Sequence, residues 1–376
     1  MTNVAAVRNA VVACALAVCL AAAGAQPPLT ASKTYYTGSL TRDGTAEPAA
    51  LDLSLYDDGF AFGRLQLPEQ QELLYGSGRL MDGSRLRMVF RQAESGEDPW
   101  WAAEIAHLRA QGAADHVELG ATVAVLAATR EYEWYGEGGT LAGTLRYANG
   151  KPAAVELTRL ATAARWSFEH GRVSSAAILP RFPGQTALND RLYQYAVPAM
   201  TSFAEVGLSL DDSRSLGWAW WREERVELAG AADRFVSLLS TVDDYTGGAH
   251  PNSLLGSYLL EVGARGVAPL SLGDLFAGEG WLEEVSERVL DGLRRQEAMW
   301  VTEGEVTDLS DRDLAVFTLD VAGVTFHFSP YLMGPYVQGT FRVTVPYADI
   351  AHLFDRAGPL PHFESGAPVA LPPAAP

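Results

Sequence analysis

Hydrophobic residues alternate with polar residues in short runs between Tyr35 and Leu160, and this alternation constrains the first half of the chain most strongly. The run Leu51–Leu55, for example, places leucine at three alternate positions. Side chains of a β-strand point alternately to its two faces, so a period of two indicates strands that bury one face. Turn residues separate the runs, which favours antiparallel neighbours. The sequence therefore predicts an antiparallel β meander or barrel-like domain over residues 33–160.

A different pattern begins near Arg165, where apolar residues recur at the spacing of helices. One helix is predicted from Leu188 to Phe203, with Pro198 expected to kink or end it. A second helix is predicted from Leu282 to Leu293. Strand patterns flank both helices. The second half is therefore predicted to be an α+β domain over residues 165–356, with an antiparallel sheet and two helices.

The last segment of the chain, residues 358–376, is rich in proline. Six of these nineteen residues are proline, which lacks the backbone N–H that helices and sheets need. Biased segments of this kind rarely bury enough apolar surface to become ordered. The sequence predicts a disordered tail here.

The first 25 residues have the pattern of an export signal. Arg8 supplies a positive charge, Ala10–Leu20 is a short apolar stretch, and Ala23–Ala25 offers small residues to a signal peptidase. Cleavage is predicted between Ala25 and Gln26, which places the protein in the periplasm, the cell envelope or the extracellular space. An uncleaved anchor is the alternative, although the apolar stretch is shorter than the roughly 20 residues of a membrane span. After cleavage no transmembrane anchor is expected.

The counts of cysteine and of charged residues limit the function further. Both cysteines, Cys14 and Cys19, lie in the export signal, so the processed chain is expected to have no disulfide and no cysteine metal site. Asp and Glu total 46 against 28 Lys and Arg, which gives a net charge of −18. Proteins that bind nucleic acid neutralise its phosphates with cationic side chains, so this balance argues against such a partner.

Two segments of the second half carry the candidate binding residues. In Asp244–Asn252, paired glycines permit a tight loop between two strands. In Phe326–Tyr347, Gly334 and Pro335 bend the chain and hold two tyrosines on a rigid loop. Tyrosine offers a large contact area with few rotatable bonds. The alternative is that these tyrosines only cap the edge of a sheet. The predicted ligand-binding loop contains Tyr331, Pro335 and Tyr336, and a secondary loop contains Tyr245, His250 and Asn252.

Together with Leu270–Phe276, these segments resemble one known domain in their order and spacing. It is the C-terminal domain of unknown function of RsiV-type anti-sigma factors and PdaC-type peptidoglycan deacetylases. The resemblance covers about Arg165–Arg356 and implies an envelope protein, and the anti-sigma factors use this domain to bind lysozyme. In this sequence we find no sigma-binding segment, no helix that would pass a signal across a membrane, and no deacetylase domain.

The same region contains side chains that could carry catalysis. Asp243, Asp244 and His250 invite a metal-hydrolase hypothesis, because carboxylates and imidazole bind divalent ions. Deacetylase sites need two histidines three or four residues apart, and none of the seven histidines has that spacing. We therefore predict no metal, no cofactor and no catalytic residue. A non-catalytic envelope protein that binds lysozyme or a peptidoglycan fragment is the leading hypothesis, and a hydrolase of envelope polymers is the alternative.

Overall fold

The computed structural model describes residues 32–56, 59–67, 72–81, 85–92, 122–128, 139–146, 152–212, 217–264 and 266–372. Among these residues the fold is α+β, as predicted, with a large sheet of thirteen strands, a separate sheet of three strands and a few helices. No described helix is both long and apolar enough to cross a membrane. The predicted export signal, with Cys14 and Cys19, lies outside the described residues and stays a prediction.

The first unit consists of consecutive antiparallel strands, as the alternation predicts. β1 also pairs with β8, so β1 has a hydrogen-bonded neighbour on both of its edges. The large sheet nevertheless stays open as a whole, because β8 continues into the second unit. The strands are β1 (Ser32–Arg42), β2 (Thr45–Leu55), β3 (Phe60–Leu67), β4 (Glu72–Met81), β5 (Arg85–Gln92), β6 (Thr122–Ala128), β7 (Thr140–Arg146) and β8 (Pro152–His170).

One face of these strands forms an apolar core. Leu51, Leu53 and Leu55 of β2 are buried in it together with aliphatic side chains from the neighbouring strands. Removing this apolar surface from water stabilises the unit by roughly 25 cal/mol for each Å² buried. The polar residues between the leucines, Asp52 and Ser54, are also buried. The second face of β2 is therefore covered as well, by the second unit.

The second unit extends the same sheet. β9 pairs with β10 in parallel, which differs from the predicted all-antiparallel arrangement, and the remaining pairs are antiparallel. A helix of 27 residues joins β9 to β10, as a parallel connection requires. The strands are β9 (Val173–Arg181), β10 (Trp220–Ala232), β11 (Phe235–Tyr245), β12 (Asn252–Gly263) and β13 (Gly266–Leu270), and those of the smaller sheet are β14 (Phe317–Asp320), β15 (Gly323–Phe328) and β16 (Phe341–Val345).

The two long helices form where the spacing predicts them. Pro198 lies inside the first helix and does not end it, because buried residues on both sides of the proline pack against the sheet. Three short helices follow that the sequence did not predict. The helices are α1 (Thr186–Asp212), α2 (Trp281–Arg295), α3 (Met299–Thr302), α4 (Tyr347–Ile350) and α5 (Leu360–Glu364).

β8 belongs to both units. Its first half, up to Thr162, pairs with β1, and residues from Thr162 to His170 pair with β9. The strand therefore runs without interruption through residues 161–164, where the sequence places the boundary between the two domains. The predicted domain division stays a prediction, but at this point the chain is regular strand.

The smaller sheet lies against the face of the large sheet and is held there by serine hydroxyls. The backbone N–H of Phe317 donates to Ser257 Oγ at 3.0 Å, and that of Leu319 donates to Ser237 Oγ at 2.8 Å. These bonds use backbone N–H groups on the outer edge of β14. Without them, the N–H groups of this edge could pair with another strand. The Ser257 and Ser237 hydroxyls thus fix the position of β14–β16, and with it the loop between β15 and β16.

The end of the chain differs from the predicted disordered tail. Residues up to 372 are described, α5 forms at Leu360–Glu364, and the side chains of Leu360 and Phe363 are buried in the core. The backbone N–H of Ala370 donates to the carbonyl oxygen of Asp233 at 2.8 Å. The apolar residues between the prolines thus bury enough surface to order the segment. Residues 373–376 lie outside the described residues.

Candidate functional site

The two predicted loops lie side by side in the folded protein. The first, residues 246–251, joins β11 to β12, and the second, residues 329–340, joins β15 to β16. The rings of His250 and Tyr336 stack with their centroids 3.7 Å apart and their planes at 18°. The ring of Tyr331 lies 5.4 Å from that of Tyr336. The structure therefore brings residues from both predicted loops into one aromatic group.

Hydrogen bonds attach the second loop to β12 and to the first loop. The hydroxyl of Tyr336 donates to the carbonyl oxygen of Pro251 at 2.8 Å. The backbone N–H of Leu255 donates to Ser329 Oγ at 2.9 Å. Ser329 and Tyr336 thus cap the end of the sheet, which is the alternative role considered for the tyrosines of this loop.

Other side chains of the same loop remain open to solvent. Tyr331 is 55% exposed, Leu332 47% and Val337 90%. An exposed apolar group of this kind, next to stacked rings, is typical of a surface that binds another molecule. We call the group formed by Tyr331, Leu332, Tyr336, Val337 and His250 the aromatic surface.

The loop that carries the aromatic surface is held firmly at its second end. Pro335 has a φ of −64° and precedes a short 3₁₀ turn at Tyr336–Gln338. The side-chain amide of Gln338 accepts a hydrogen bond from the N–H of Met299 at 3.1 Å and donates one to the carbonyl oxygen of Glu297 at 3.0 Å. The loop is therefore fixed to the connection between α2 and α3, and binding need not order it first.

The backbone of Tyr331 is strained. Its φ is +69°, in the left-handed region that non-glycine residues other than Asn and Asp rarely adopt. Such conformations cost of the order of 1–2 kcal/mol and often occur at functional sites. The Tyr331 side chain is also among the most exposed of the aromatic surface, so its burial does not compensate for the strain.

We expect Tyr331→Asn to be more stable than Tyr331→Ala by about 0.5–1 kcal/mol, because asparagine tolerates the left-handed region better than alanine. Both variants remove the ring, so a difference in packing does not account for the result. Urea unfolding of the two variants measures it. Equal stabilities would show that the positive φ of residue 331 is not retained in solution.

The secondary loop is closed by local hydrogen bonds. The hydroxyl of Tyr245 donates to the carbonyl oxygen of Gly248 at 2.9 Å, and Asn252 Nδ2 donates to Asp244 Oδ1 at 3.1 Å. Gly247 has a φ of +105°, and a Cβ atom there would lie 2.6 Å from Cδ1 of Trp218. Trp218, which is 60% exposed, therefore borders this loop, and the sequence analysis missed it. Tyr245 and Asn252 shape the loop, whereas His250 alone joins the aromatic surface.

Two residues of the metal hypothesis, Asp244 and His250, have other partners. Asp244 Oδ2 lies 3.8 Å from an Arg222 guanidinium nitrogen, and its second oxygen accepts the bond from Asn252. His250 Nδ1 lies 2.8 Å from the carbonyl oxygen of Pro251. In the part of the chain that the structure describes, no three His, Cys, Asp or Glu side chains are grouped closely enough to hold a metal ion.

One family model matches a segment that carries part of this surface. The model of a family described as "Protein of unknown function (DUF3298)" matches residues 274–348. The predicted C-terminal family domain is confirmed over this segment. Tyr331, Pro335 and Tyr336 lie within the DUF3298 segment, whereas Tyr245, His250 and Asn252 lie before it. The specific link to RsiV-type and PdaC-type proteins stays a prediction.

Two solved structures of DUF3298 proteins are similar to this chain. One is a DUF3298 family protein from Pseudomonas aeruginosa PAO1, with 14% identity over 52% of this chain and 93% of that one and a TM-score of 0.40. Another is a DUF3298 member from Bacteroides fragilis NCTC 9343, with 15% identity over 54% of this chain and 98% of that one and a TM-score of 0.33. A comparison with curated proteins found no match.

The DUF3298 segment also contains a buried histidine, although its place between Phe326 and Phe328 indicates a polar face. His327 of β15 is only 8% exposed, and its Nε2 lies 2.8 Å from Thr318 Oγ1. Burial, together with the charges of Arg342 and Arg64, lowers the pKa of His327 to about 3. Arg64 belongs to β3, so a charged residue of the first unit contributes to the lowered pKa of a histidine in the smaller sheet.

A partly buried group of charges joins the first unit to β10, and we call Lys33, Asp52, Arg64 and Glu227 the junction cluster. Arg64 donates from Nε to Asp52 at 2.7 Å and from Nη2 to the carbonyl oxygen of Leu228 at 2.6 Å. Lys33 forms an ion pair with Glu227. Burial opposes the ionisation of Glu227, but the charge and hydrogen bond of Lys33 outweigh it and lower the pKa of Glu227. These contacts fix the orientation of the two units.

Proposed function

We propose that this protein is a non-catalytic binding protein of the cell envelope and that the aromatic surface holds its ligand, a basic protein such as lysozyme. The observation that carries the proposal is the stacked His250–Tyr336 pair. It joins two separate loops into one rigid surface and leaves Tyr331, Leu332 and Val337 exposed beside it.

Aromatic side chains on a pre-ordered surface are typical of binding sites. Tyrosine contributes a large contact area and loses little conformational entropy on binding. The bonds of Ser329, Tyr336 and Gln338 hold the loop in place before a ligand arrives. The free energy of contact is then not spent on ordering the loop.

Charge supports a basic protein as the ligand. The chain has a net charge of −18, which attracts a cationic protein over a distance and raises its association rate. The resemblance to the lysozyme-binding domain of anti-sigma factors points to the same class of ligand. A peptidoglycan fragment is the second ligand to test, because the resemblance also includes peptidoglycan deacetylases.

A hydrolase of envelope polymers is the alternative function. It needs a reacting group in the candidate site, and Asp244 and His250 are the residues that first invited it. In the structure Asp244 bonds to Asn252, and His250 stacks on Tyr336. Both residues therefore have a structural role in the loops, and no observation here favours the catalytic one.

The binding test compares two valines that are exposed at different places. We expect Val337→Arg to weaken binding to a basic lysozyme by about tenfold or more, because it places a positive charge and a long side chain within the aromatic surface. Val206→Arg is the control, since Val206 is 55% exposed on α1 and its substitution changes the net charge equally. Surface plasmon resonance at several salt concentrations measures both rates.

The outcomes separate the hypotheses. Weaker binding of Val337→Arg alone, with faster dissociation, supports the aromatic surface as the site. An equal loss in both variants, abolished by moderate salt, would mean attraction by net charge only. If lysozyme does not bind at low salt and muropeptides bind instead, the ligand class is corrected. If neither ligand binds, the proposal is wrong.

A further inference from the structure

Among the described residues, the second half of β8 is paired on one edge only. Residues from Thr162 to His170 pair with β9, and β1 pairs with β8 no further than Thr162. Within the described ranges no other strand pairs with Ala163–His170. These eight residues span about 27 Å and present backbone N–H and C=O groups to a further strand. Long unpaired edges of this kind pair readily with another chain.

The side chains on this half-strand divide into two sets. Arg165, Ser167 and Glu169 alternate along one face and are exposed, and Arg165 Nη1 also lies 3.0 Å from Glu223 Oε2 of β10. Trp166 and Phe168 lie on the opposite face and are half-buried. Trp166 packs against Tyr193 of α1, with the ring centroids 5.9 Å apart in an edge-to-face arrangement. The edge is therefore polar on one side and aromatic on the other.

We propose that a second copy of this chain pairs with this edge, with the two β8 strands antiparallel and Ser167 on the two-fold axis. In that register Arg165 of each copy lies opposite Glu169 of the other, so two pairs of opposite charge form on one face. On the other face Trp166 lies opposite Phe168, twice. Cross-strand pairs of both kinds stabilise antiparallel strands by roughly 0.2–1 kcal/mol each.

The complementarity is specific to this register. Centring the axis on Trp166 places Arg165 opposite Ser167 and Glu169 opposite Ala163. Centring it on Phe168 places Arg165 opposite Gly171 and Glu169 opposite Ser167. Both shifts lose the charge pairs and the Trp–Phe pairs. A two-fold interface must be self-complementary, and the arrangement centred on Ser167 meets that requirement.

The occupant is a second copy of the chain, because pairing about Ser167 makes the edge self-complementary. An interface of eight residues on each copy is also smaller than the roughly 1,600 Å² of a standard permanent complex. The dimer is therefore reversible and its population depends on concentration.

A disulfide cross-link tests the position of the axis. In the full chain with Cys14→Ser and Cys19→Ser, the variant Ser167→Cys provides a single thiol. Opposite residues of antiparallel strands have Cα atoms about 4.5–5.5 Å apart, which suits a disulfide. We expect mild oxidation to give a covalent dimer. Glu156→Cys in the same background is the control, because Glu156 is exposed on the half of β8 that β1 already covers.

Charge reversal tests the same register without a covalent bond. We expect Glu169→Arg to raise the dimer dissociation constant by about tenfold or more, since it places two arginines opposite each other. Glu156→Arg, which changes the net charge equally, should leave it unaltered. Sedimentation velocity over a range of concentrations measures both. A monomer at all concentrations with no cross-link through residue 167, or a dimer that neither variant affects and that does not cross-link there, overturns the proposal.

Discussion

Replacing Arg64 by methionine is expected to lower the free energy of unfolding by about 3 kcal/mol or more. Arg64 donates to Asp52 and to the carbonyl oxygens of Leu228 and Ala229. The variant keeps most of the apolar volume but leaves a buried carboxylate and two carbonyl groups without this donor. Burial already raises the pKa of Asp52 against the opposing charges of Arg64 and Lys33, so the uncompensated carboxylate is costly. Urea unfolding near neutral pH measures the change.

An exposed pair of the same chemistry is the control for this prediction. Arg294 lies 2.6 Å from Asp291 on α2, with both side chains about half exposed. Arg294→Met should hardly alter stability, because exposed ion pairs contribute little. The double variant Arg64→Met with Asp52→Asn should recover part of the loss, since it also removes the unpaired charge. A loss as small for Arg64→Met as for Arg294→Met would show that the junction cluster does not hold the units together.

The second large effect is a dependence of stability on pH that comes from His327. Its pKa in the folded protein is about 3, below the value of about 6.5 in an unfolded chain. Between these values the unfolded chain binds a proton that the folded protein excludes, so stability falls as the pH falls. From about pH 7.5 to about pH 5 the loss expected from this group is about 2 kcal/mol.

The variant His327→Gln isolates this effect. Glutamine can keep a hydrogen bond to Thr318 but does not take up a proton, so its stability should change less between these two pH values. His170→Gln, at an exposed position, should follow the unmodified protein. Asp52 and Asp320 have raised pKa values, which act on stability in the opposite direction, but these residues are present in all three proteins. Parallel stability curves for His327→Gln and the unmodified protein would contradict the prediction.

Periodic patterns predicted the elements of this fold because they report burial along a single element. The alternate leucines at 51, 53 and 55 are buried as expected, and the spacing of Leu282–Leu293 marks a helix that extends from Trp281 to Arg295. Both predictions need only the geometry of one strand or one helix. They did not require knowledge of which elements are neighbours.

The features that the patterns did not predict depend on contacts between distant segments. Pro198 was expected to kink or end α1, and a proline costs a helix interior about 3 kcal/mol, yet α1 continues past it and the neighbouring Val197 and Met200 are buried with residues of the sheet. His327 alternates with two phenylalanines, which indicates a polar face, but that face is covered too. The neighbouring sequence contains no pattern that would indicate that other segments cover this face.

In the candidate site, too, features of a single segment were predicted and the contact between distant segments was not. Glycine, proline and tyrosine in two segments predicted two rigid loops, and these loops form. Their contact through His250 and Tyr336 joins residues 86 positions apart, so it could be found only in the folded protein. Trp218 was missed because a tryptophan before a strand has no pattern of its own that distinguishes an exposed ring from a core residue.

Because β8 serves both units, the order in which the chain is made limits the order in which it folds. β1 can pair with β2 as soon as both exist, but its second partner is about 120 residues further along the chain. Contacts between residues so far apart form slowly, since a long loop must close first. The turn from β8 to β9, in contrast, contains only Gly171 and Arg172. The second edge of β1 therefore cannot pair with β8 until β8 has been synthesised. The strand that completes the first unit is then also the first strand of the second unit.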